Sequence, residues 1–549
     1  MASLGGQPVL ILKEGTERTQ GKNAQKNNIL AAIAVCEAVR TSLGPKGMDK
    51  MLVDQLGDVV ITNDGATILK EIDVQHPSAK MLVEVAKTVD EEVGDGTTTS
   101  VILTGELLKR AEKLLDSKIH PTMITEGYRM AAEKALEILD SISTTINPKD
   151  RDALLKIANT SINSKVIVSN KEMFSKIVVD AALAVIEESE GKYKVDLDKI
   201  QVIKKEGATI EDTQFIAGII LDKEVVNSSM KKRIENAKIL LLQEAIEITK
   251  TEFDAKLQIR SPDQITAFLE QEENMLKDMV EKVKKSGANF VVCQKGIDDL
   301  AQHFLAKAGI SAVRRVKKSD IEKLSKATGA TIYTNLDDIT PEGLGYAGLV
   351  EERKILEESW VFVEQCKNPK AVVIFVRGGS ELIVDEAERS IHDALCVVRD
   401  AIQDPKVVGG AGAAEVELSV QLKNYGKSIT GRESFAIQTF ADALEIIPKT
   451  LAENAGFDQI ELLMKLRAEH ATGKKYAGLD LEEGKIIENT YNLGIVEPTA
   501  VKKQAIKSAS EAAQMILRID DIIASQKSAS PGGMPGGMPG GMPGGMPPM

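Results

Sequence analysis

The stretch Gly94-Asp95-Gly96-Thr97-Thr98-Thr99 is the most informative part of this sequence of 549 residues. Its two glycines let the backbone approach a ligand closely, and its three hydroxyl residues open a predicted helix over 98–115, whose free N–H groups attract anions. Asp95 would repel a phosphate directly, but it can hold a Mg²⁺ ion that bridges phosphates. A plain helix–helix turn with an N-cap explains the same residues equally well.

The sequence before this stretch predicts three further elements. A helix after Pro77 has one apolar face, and Gly94 ends it; the face consists of Met81, Leu82, Val85, Ala86, Val89 and Val93. Residues 58–69 place two apolar runs around Asn63-Asp64-Gly65, which predicts a β-hairpin. Residues 41–47, Thr41-Ser42-Leu43-Gly44-Pro45-Lys46-Gly47, follow another periodic helix, and their Gly-Pro pair favours a simple C-cap.

The middle of the chain has a different pattern. Residues 238–242, 289–293, 311–313 and 371–376 are short apolar runs that predict buried strands, and predicted helices at 298–307 and 320–328 alternate with them. This alternation favours an α/β domain with a largely buried sheet. Ser261-Pro262 predicts the start of a long helix, with Ser as N-cap and Pro at the first position.

Two other segments are chemically ambiguous when taken alone. Residues 409–415, Gly-Gly-Ala-Gly-Ala-Ala-Glu, form a glycine-rich loop entering a helix but do not match a dinucleotide or P-loop fingerprint. Asp393 lies in a predicted helix on the side opposite its apolar stripe, which by periodicity alone favours a solvated acid. Its neighbour His392 is interpreted as a surface residue.

Composition limits the class of protein. The chain carries 69 Lys and Arg against 82 Asp and Glu, a net charge of −13, which argues against a general nucleic-acid binder. The length suggests about three or four domains. Four scattered cysteines favour a reducing compartment, and neither a membrane-spanning run nor a secretory signal is present, so we expect a cytoplasmic protein.

Five motifs in order resemble the archaeal group II chaperonins, the thermosome subunits, from about residue 15 to residue 524. They are residues 41–50, residues 62–67, residues 94–99, Gln294-Lys295-Gly296-Ile297-Asp298-Asp299-Leu300-Ala301-Gln302, and Leu451-Ala452-Glu453-Asn454-Ala455-Gly456. The repeated Pro-Gly-Gly-Met tail is also similar to this family, although low-complexity tails of this composition do not fold by themselves. One departure is Gly410-Ala411-Gly412, where many members have three glycines.

The resemblance implies a multidomain α and α/β chaperonin fold. It comprises a mostly helical equatorial domain, a small α/β intermediate domain, and an α/β apical domain with a helical protrusion. The implied boundaries are equatorial 1–150 and 407–527, intermediate 151–220 and 371–406, apical 221–370 with a lid protrusion at about 250–285, and a disordered tail at 528–549.

The resemblance also assigns site residues. Asp64 and Asp393 would position and polarise the attacking water, and Asp95 would hold Mg²⁺. Phosphate oxygens would be cradled by Gly96, Thr97, Thr98 and Thr99, with Lys165 sensing the γ-phosphate. Leu43, Gly44 and Pro45 would pack along the nucleotide, and Gly410, Asp480 and Glu497 would lie nearer its ribose and adenine.

The implied function is an ATP-dependent chaperone that encloses non-native proteins and hydrolyses ATP with Mg²⁺. Like subunits would form a homo- or hetero-oligomeric double ring, with a built-in lid and no separate lid co-chaperonin, and with neither nucleic acid nor membrane as a partner. Phe268 and Leu269 would face clients or neighbouring lids, although ordinary helix packing explains them as well. A metabolic kinase or ligase, and a structural ring protein without hydrolysis, are the alternatives.

Overall fold

The computed structural model describes residues 2–4, 7–9, 16–248, 262–367 and 369–525. Its α-helices are α1 (Lys22–Arg40), α2 (Gly65–Glu71), α3 (Pro77–Val93), α4 (Thr97–Asp116), α5 (Pro121–Ile142), α6 (Arg151–Ile162), α7 (Lys171–Ala184), α8 (Pro262–Ser286), α9 (Asp299–Lys307), α10 (Lys318–Thr328), α11 (Glu381–Gln403), α12 (Ala413–Ser428), α13 (Glu433–Leu444), α14 (Ile446–Asn454), α15 (Gln459–Ala471) and α16 (Thr499–Leu517).

Most strands are short. They are β1 (Ala2–Leu4), β2 (Gln7–Val9), β3 (Thr16–Gln20), β4 (Lys50–Val53), β5 (Val59–Thr62), β6 (Thr144–Thr145), β7 (Ile186–Ser189), β8 (Lys192–Val195), β9 (Ile200–Glu206), β10 (Gln214–Ile216), β11 (Ile219–Leu221), β12 (Arg233–Leu242), β13 (Phe290–Cys293), β14 (Ser311–Val313), β15 (Ile332–Tyr333), β16 (Gly345–Ile355), β17 (Glu358–Glu364), β18 (Val372–Gly378), β19 (Lys406–Gly409), β20 (Gly478–Asp480), β21 (Lys485–Ile487), β22 (Val496–Pro498) and β23 (Asp521–Ser525).

Helices from both ends of the chain share one hydrophobic core. Helices α1, α3, α4 and α5 pack with α12, α13 and α16. Tyr128 of α5 and Phe440 of α13 are fully buried and meet edge to face, with ring centroids 5.6 Å apart. Strands β3 and β23 pair antiparallel, so the two described ends of this helical layer lie side by side. The N-terminal and C-terminal parts of the chain therefore form one folded unit.

A second core surrounds a small sheet of strand order β10-β18-β9. Strand β18 pairs parallel with β9 and antiparallel with β10, and helices α6, α7 and α11 pack nearby. Helix α11 also contacts α3 and α16 of the helical layer. This helix therefore joins the small sheet to the layer that contains the glycine-rich loops.

The middle of the chain forms a seven-stranded mixed sheet with two apolar faces. Along β12, Ile239 and Leu241 belong to the core on one face, while Leu240 and Leu242 belong to the core on the other. Side chains alternate between faces in a strand, so a continuous apolar run is expected where both faces are covered. Helix α10 packs into the core that contains Ile239, and α8 and α9 pack into the core that contains Leu240.

The fold-class prediction is confirmed, and one local prediction is wrong. Residues 58–69 do not form a hairpin around Asn63-Asp64-Gly65. Strand β5 pairs instead with β4, and the second apolar run forms α2, whose N-cap is Asp64. The predicted N-cap at Ser261 lies outside the described residues, as does the tail from residue 526 onward.

Candidate functional site

The stretch at residues 94–99 is a tight loop between α3 and α4. Gly94 and Gly96 both have positive φ, 67° and 80°, a conformation that other residues adopt only with strain. A Cβ at Gly94 would stand 2.3 Å from the Cβ of Cys396, so the loop can lie against α11 only as glycine. No side chain caps the start of α4, which leaves its first N–H groups for another acceptor.

Asp95 is oriented by its own loop and by the end of α6. Its Oδ1 accepts a hydrogen bond of 2.6 Å from the Gly96 amide, and its Oδ2 accepts one of 3.1 Å from the Ser161 hydroxyl. The second contact crosses between the helical layer and α6. Sequence reasoning did not single out Ser161 for this role, because a serine inside a helix has no distinctive pattern.

Asp64 is held on the adjacent helix terminus. Its carboxylate accepts hydrogen bonds from the amides of Ala66 and Thr67, the latter at 2.8 Å, and one of 3.2 Å from the Thr97 hydroxyl. Burial raises the pKa of Asp64, but the Lys165 ammonium and the helix amides lower it more, so the pKa lies below its usual value. Asp64 is therefore an ionised group fixed beside the start of α4.

Asp393 forms a buried ion pair with Lys165. The Lys165 Nζ lies 2.6 Å from Oδ2 of Asp393, and the two side chains are only 8% and 7% exposed. The prediction of a solvated acid is wrong, because helical periodicity locates the apolar stripe of α11 but does not reveal that its polar side is covered by the segment after α6. His392, in contrast, lies on the surface as expected.

Three carboxylates act on the one ammonium of Lys165. Burial lowers the pKa of Lys165, but Asp393, Asp95 and Asp64 together raise it above its usual value. Burial raises the pKa of Asp393 well above that of an ordinary carboxyl, and the attraction of Lys165 offsets this only in part. The structure thus brings together four predicted site residues from distant parts of the sequence, with an excess of negative charge.

Asp90, in the last turns of α3, was missed by sequence reasoning. Burial, with the nearby Asp64 carboxylate, raises the pKa of Asp90 to about 6. Its position in an amphipathic helix gave no indication that it faces the acidic cluster.

A cavity of about 700 Å³ adjoins this cluster. Seven of the predicted residues line it: Leu43, Gly44, Pro45, Asp95, Thr99, Asp480 and Glu497. The other predicted residues do not line the cavity: Asp64, Gly96, Thr97, Thr98, Lys165, Asp393 and Gly410. In the loop of Gly410, the lining residues are Ala411 and Gly412. A pocket of this size suits a nucleotide-sized ligand.

The cavity lining contains two further predicted acids, Asp480 and Glu497, in different settings. Oδ1 of Asp480 accepts hydrogen bonds from the amides of Glu482 and Glu483 and so caps its own turn. Glu497 pairs with Lys502, which also contacts Glu415. Lys502 and Glu415 were not predicted, since an ion pair between residues distant in sequence leaves no local pattern.

The donor set suits Mg²⁺ bound together with phosphates. Within the described residues, no group of three His, Cys, Asp or Glu side chains could enclose a metal ion. Mg²⁺ is commonly held by only one or two carboxylates, with phosphate oxygens and water completing its octahedron. Asp95, on the cavity wall beside the uncapped start of α4, fits that arrangement.

Phe268 and Leu269 lie far from this cluster in the fold, on α8. They are 38% and 59% exposed, whereas Leu276, Val280 and Val283 of the same helix are buried in the core. Across the described ranges, no helix has both the length and the apolar character to cross a membrane.

Comparison with known proteins agrees with this architecture. Residues 35–527 match the model of the TCP-1/cpn60 chaperonin family. The chain is 59% identical over 527 residues to a thermosome subunit of Pyrococcus abyssi, covering 96% of both chains. It is 58% identical over 536 residues to thermosome subunit beta of Archaeoglobus fulgidus, covering 97% of this chain and 98% of the relative.

The chain belongs to the TCP-1/cpn60 chaperonin family. More narrowly, its similarity is to the thermosome subunits, which are group II chaperonins. It is therefore an ATP-dependent molecular chaperone with a built-in lid, and it hydrolyses ATP to drive protein folding. The kinase or ligase alternative and the structural-ring alternative are both wrong.

Proposed function

We propose that Asp64, Asp95, Lys165 and Asp393 form the hydrolytic site of this chaperone and that the adjoining cavity holds ATP. The observation that carries the proposal is the buried contact of 2.6 Å between Lys165 and Asp393, with Asp64 and Asp95 acting on the same ammonium. Phosphoryl transfer depends mainly on positioning and on neutralising charge, and these four groups supply both.

The phosphates are proposed to bind at the start of α4. Gly96 and Thr97 provide backbone N–H groups there, and Thr98 and Thr99 provide further amides and hydroxyls. Helix α12 begins in the same way, at Gly412 with positive φ and without a capping side chain, and Gly412 lines the cavity. Two uncapped helix starts therefore adjoin one cavity.

Asp64 and Asp393 are proposed to have different roles toward the attacking water. Asp64 remains ionised and fixed by helix amides, so it orients the water. Asp393 has the raised pKa and therefore the greater affinity for a proton, which suits a general base. Mg²⁺, held by Asp95, would supply positive charge to the phosphate oxygens. Lys165 would exchange part of its contact with Asp393 for the γ-phosphate.

The nucleoside is proposed to lie against the remaining predicted residues of the cavity. Leu43, Gly44 and Pro45 provide an apolar and backbone surface, while Asp480 and Glu497 provide acceptors for hydroxyl and amino groups. Gly410 would contribute indirectly, by leaving room for the Glu497 side chain, since a Cβ at Gly410 would stand 2.9 Å from Oε1 of Glu497.

A ring assembly is supported by exposed apolar groups on the hairpin formed by β4 and β5. Met51, Val53 and Leu56 are 67%, 62% and 88% exposed, which is costly for an isolated chain and favours burial against another subunit. Thermosome subunits form double rings and bind unfolded proteins, and we propose the same for this chain. The compartment would be the cytoplasm.

The proposed domain boundaries are equatorial 1–150 and 407–527, intermediate 151–220 and 371–406, and apical 221–370. The exposed side chains of Phe268 and Leu269 on α8 support a lid or client surface in the apical part. With the lid built into the chain, a separate lid protein is not required, and neither nucleic acid nor membrane is a partner.

The metal assignment is tested with Asp95→Asn. We expect Mg²⁺ to strengthen ATP binding to the wild-type protein. In the variant, the ratio of ATP affinity with Mg²⁺ to ATP affinity without it should be at least about tenfold smaller, since one charged ligand is removed. ATP binding is measured by calorimetry with Mg²⁺ and with EDTA. Glu91→Gln, an exposed acid on α3, is the matched control. An unchanged Mg²⁺ dependence in Asp95→Asn would contradict the assignment.

A further inference from the structure

Lys502 occupies an unfavourable position that requires an explanation. It is 7% exposed and lies in the first turn of α16, where the helix dipole presents positive charge. Burial and the dipole both disfavour an ammonium group there. Lys502 is retained in its charged form by two carboxylates, because Glu415 Oε1 and Glu497 Oε2 each lie 2.7 Å from its Nζ. The pKa of Lys502 is accordingly raised, despite its burial.

These contacts connect three elements at one wall of the cavity. Glu415 lies in the first turn of α12, directly after the glycine-rich loop that contributes Gly412 to the lining. Glu497 lies in β22, opposite Val408 of β19, the strand that leads into the same loop. The ammonium of Lys502 therefore fixes the loop from both sides.

The same contacts determine how Glu497 is presented. Its Oε2 is taken by Lys502, while its Oε1 lies against Gly410, at 2.9 Å from the position of an added Cβ. The side chain is 27% exposed and lines the cavity. One carboxylate oxygen is thus anchored, and the carboxylate keeps a defined direction relative to the loop.

We infer that Lys502 is a positioning residue for ribose recognition: it holds the Glu497 carboxylate so that it accepts a hydrogen bond from a ribose hydroxyl of the bound nucleotide. The inference rests on the proposed function, which places ATP in the cavity with Glu497 as an acceptor for hydroxyl groups of the nucleoside. It adds that the preference for a ribonucleotide over a deoxyribonucleotide depends on Lys502, which also lines the cavity, through the carboxylate that Lys502 holds.

The size of the effect follows from the kind of bond. A hydrogen bond to a charged acceptor in a partly buried site corresponds to about tenfold or more in affinity. Without Lys502, Glu497 can rotate, and the favourable geometry is lost for ATP but not for the analogue that lacks the hydroxyl. The chemical step is less affected, because Asp64, Asp95 and Asp393 are unchanged. The loss therefore falls on KM and not on kcat.

The experiment compares ATP, 2′-deoxy-ATP and 3′-deoxy-ATP in steady-state phosphate release by the full chain. We expect the wild-type protein to prefer ATP over at least one analogue by about tenfold in KM. In Lys502→Met the preference should fall to about threefold or less, with kcat for ATP within about threefold of the wild type. Glu497→Gln should lose the preference to the same extent.

A second variant separates positioning from a general loss of folding. Lys502→Met leaves two buried carboxylates without their cation, so Lys502→Met combined with Glu415→Gln removes one of those charges and restores the original balance. This double variant should fold, as judged by thermal denaturation, and still lack the ribose preference. A wild-type protein that hydrolyses all three nucleotides equally, or a folded Lys502 variant that keeps the preference, would overturn the inference. Failure of the proposed site is distinguishable, since the wild-type protein would then bind no ATP in this cavity and Glu497→Gln would leave KM for ATP unchanged.

Discussion

Replacing Asp393 by Asn removes one negative charge and retains the shape of the side chain. The Lys165 ammonium then loses a partner at 2.6 Å in a setting where both side chains are buried. Loss of one member of a buried pair commonly costs about 3–5 kcal/mol. We expect a smaller cost here, because Asp95 and Asp64 also act on that ammonium. The variant should therefore fold and assemble.

The effect on turnover should be much larger than the effect on binding. A general base contributes about 10²–10⁴-fold to a rate, so we expect kcat for phosphate release to fall by at least about 100-fold, equivalent to about 2.7 kcal/mol in the barrier. Affinity for ATP should change by less than about fivefold, since Asp393 does not line the cavity.

The measurement combines phosphate release at saturating ATP with equilibrium binding by calorimetry. Glu381→Gln is the matched control, because it makes the same charge change at an exposed position in the first turn of α11. That control should retain wild-type turnover within about twofold, the size of a surface helix-dipole effect. Asp393→Asn turnover within tenfold of the wild type would refute the assignment of Asp393, as would a loss of turnover fully accounted for by weaker binding.

Two further predictions concern stability. Burial, offset in part by Arg399, raises the pKa of Asp400 to about 6. The folded chain therefore binds a proton at the Asp400 carboxyl more tightly than the unfolded chain does. The free energy of unfolding consequently falls as the pH rises through about 4 to 6. Relative to the wild type, we expect the free energy of unfolding of Asp400→Asn to increase by about 3 kcal/mol between pH 4 and pH 7. The exposed control Asp116→Asn should show no such trend. Denaturation curves in which Asp400→Asn behaves like this control would contradict the prediction. The His470 side chain is fully buried, and it contacts Glu417 at 2.7 Å and a backbone carbonyl at 2.9 Å. His470→Leu should lower the free energy of unfolding by about 1–3 kcal/mol, because it leaves buried polar atoms without a hydrogen-bond partner. An unchanged denaturation midpoint would count against this.

The features that sequence reasoning identified correctly are local ones. Gly94 ends α3 and the threonines open α4, because positive φ and the first helical turn depend on residues adjacent in the chain. The apolar runs of the middle sheet were also identified, since burial on both faces requires an unbroken hydrophobic segment.

The errors arose where one local pattern fits two structures. Asn63-Asp64-Gly65 is a good hairpin turn, but Asp is also a strong N-cap, and the following residues Ala66-Thr67-Ile68-Leu69 are compatible with a helix or a strand. Packing of α2 against α3 and α4 decides in favour of the helix. Only tertiary contacts carry that information.

The polar contacts of the site were even harder to predict from the sequence. Periodicity identified the apolar side of α11 but gave no means of knowing that Lys165 covers the other side. The pairing of Lys502 with Glu415 joins residues distant in the chain, and no spacing rule relates them. The family resemblance indicated Asp393 and Lys165, whereas it indicated neither Lys502 nor Ser161.

The antiparallel pairing of β10 with β18 has a practical consequence. Ile216 and Val373 are direct partners in that pair, so their Cα atoms lie about 4.5–5.5 Å apart. The chain therefore departs into the seven-stranded sheet and returns at neighbouring points, and a two-residue turn is long enough to close the gap. We expect residues 217–372 to be exchangeable for the corresponding segment of a relative at this single splice point, whereas simple omission would expose Val373 and Phe375, which are buried in one core with Phe362 of the seven-stranded sheet.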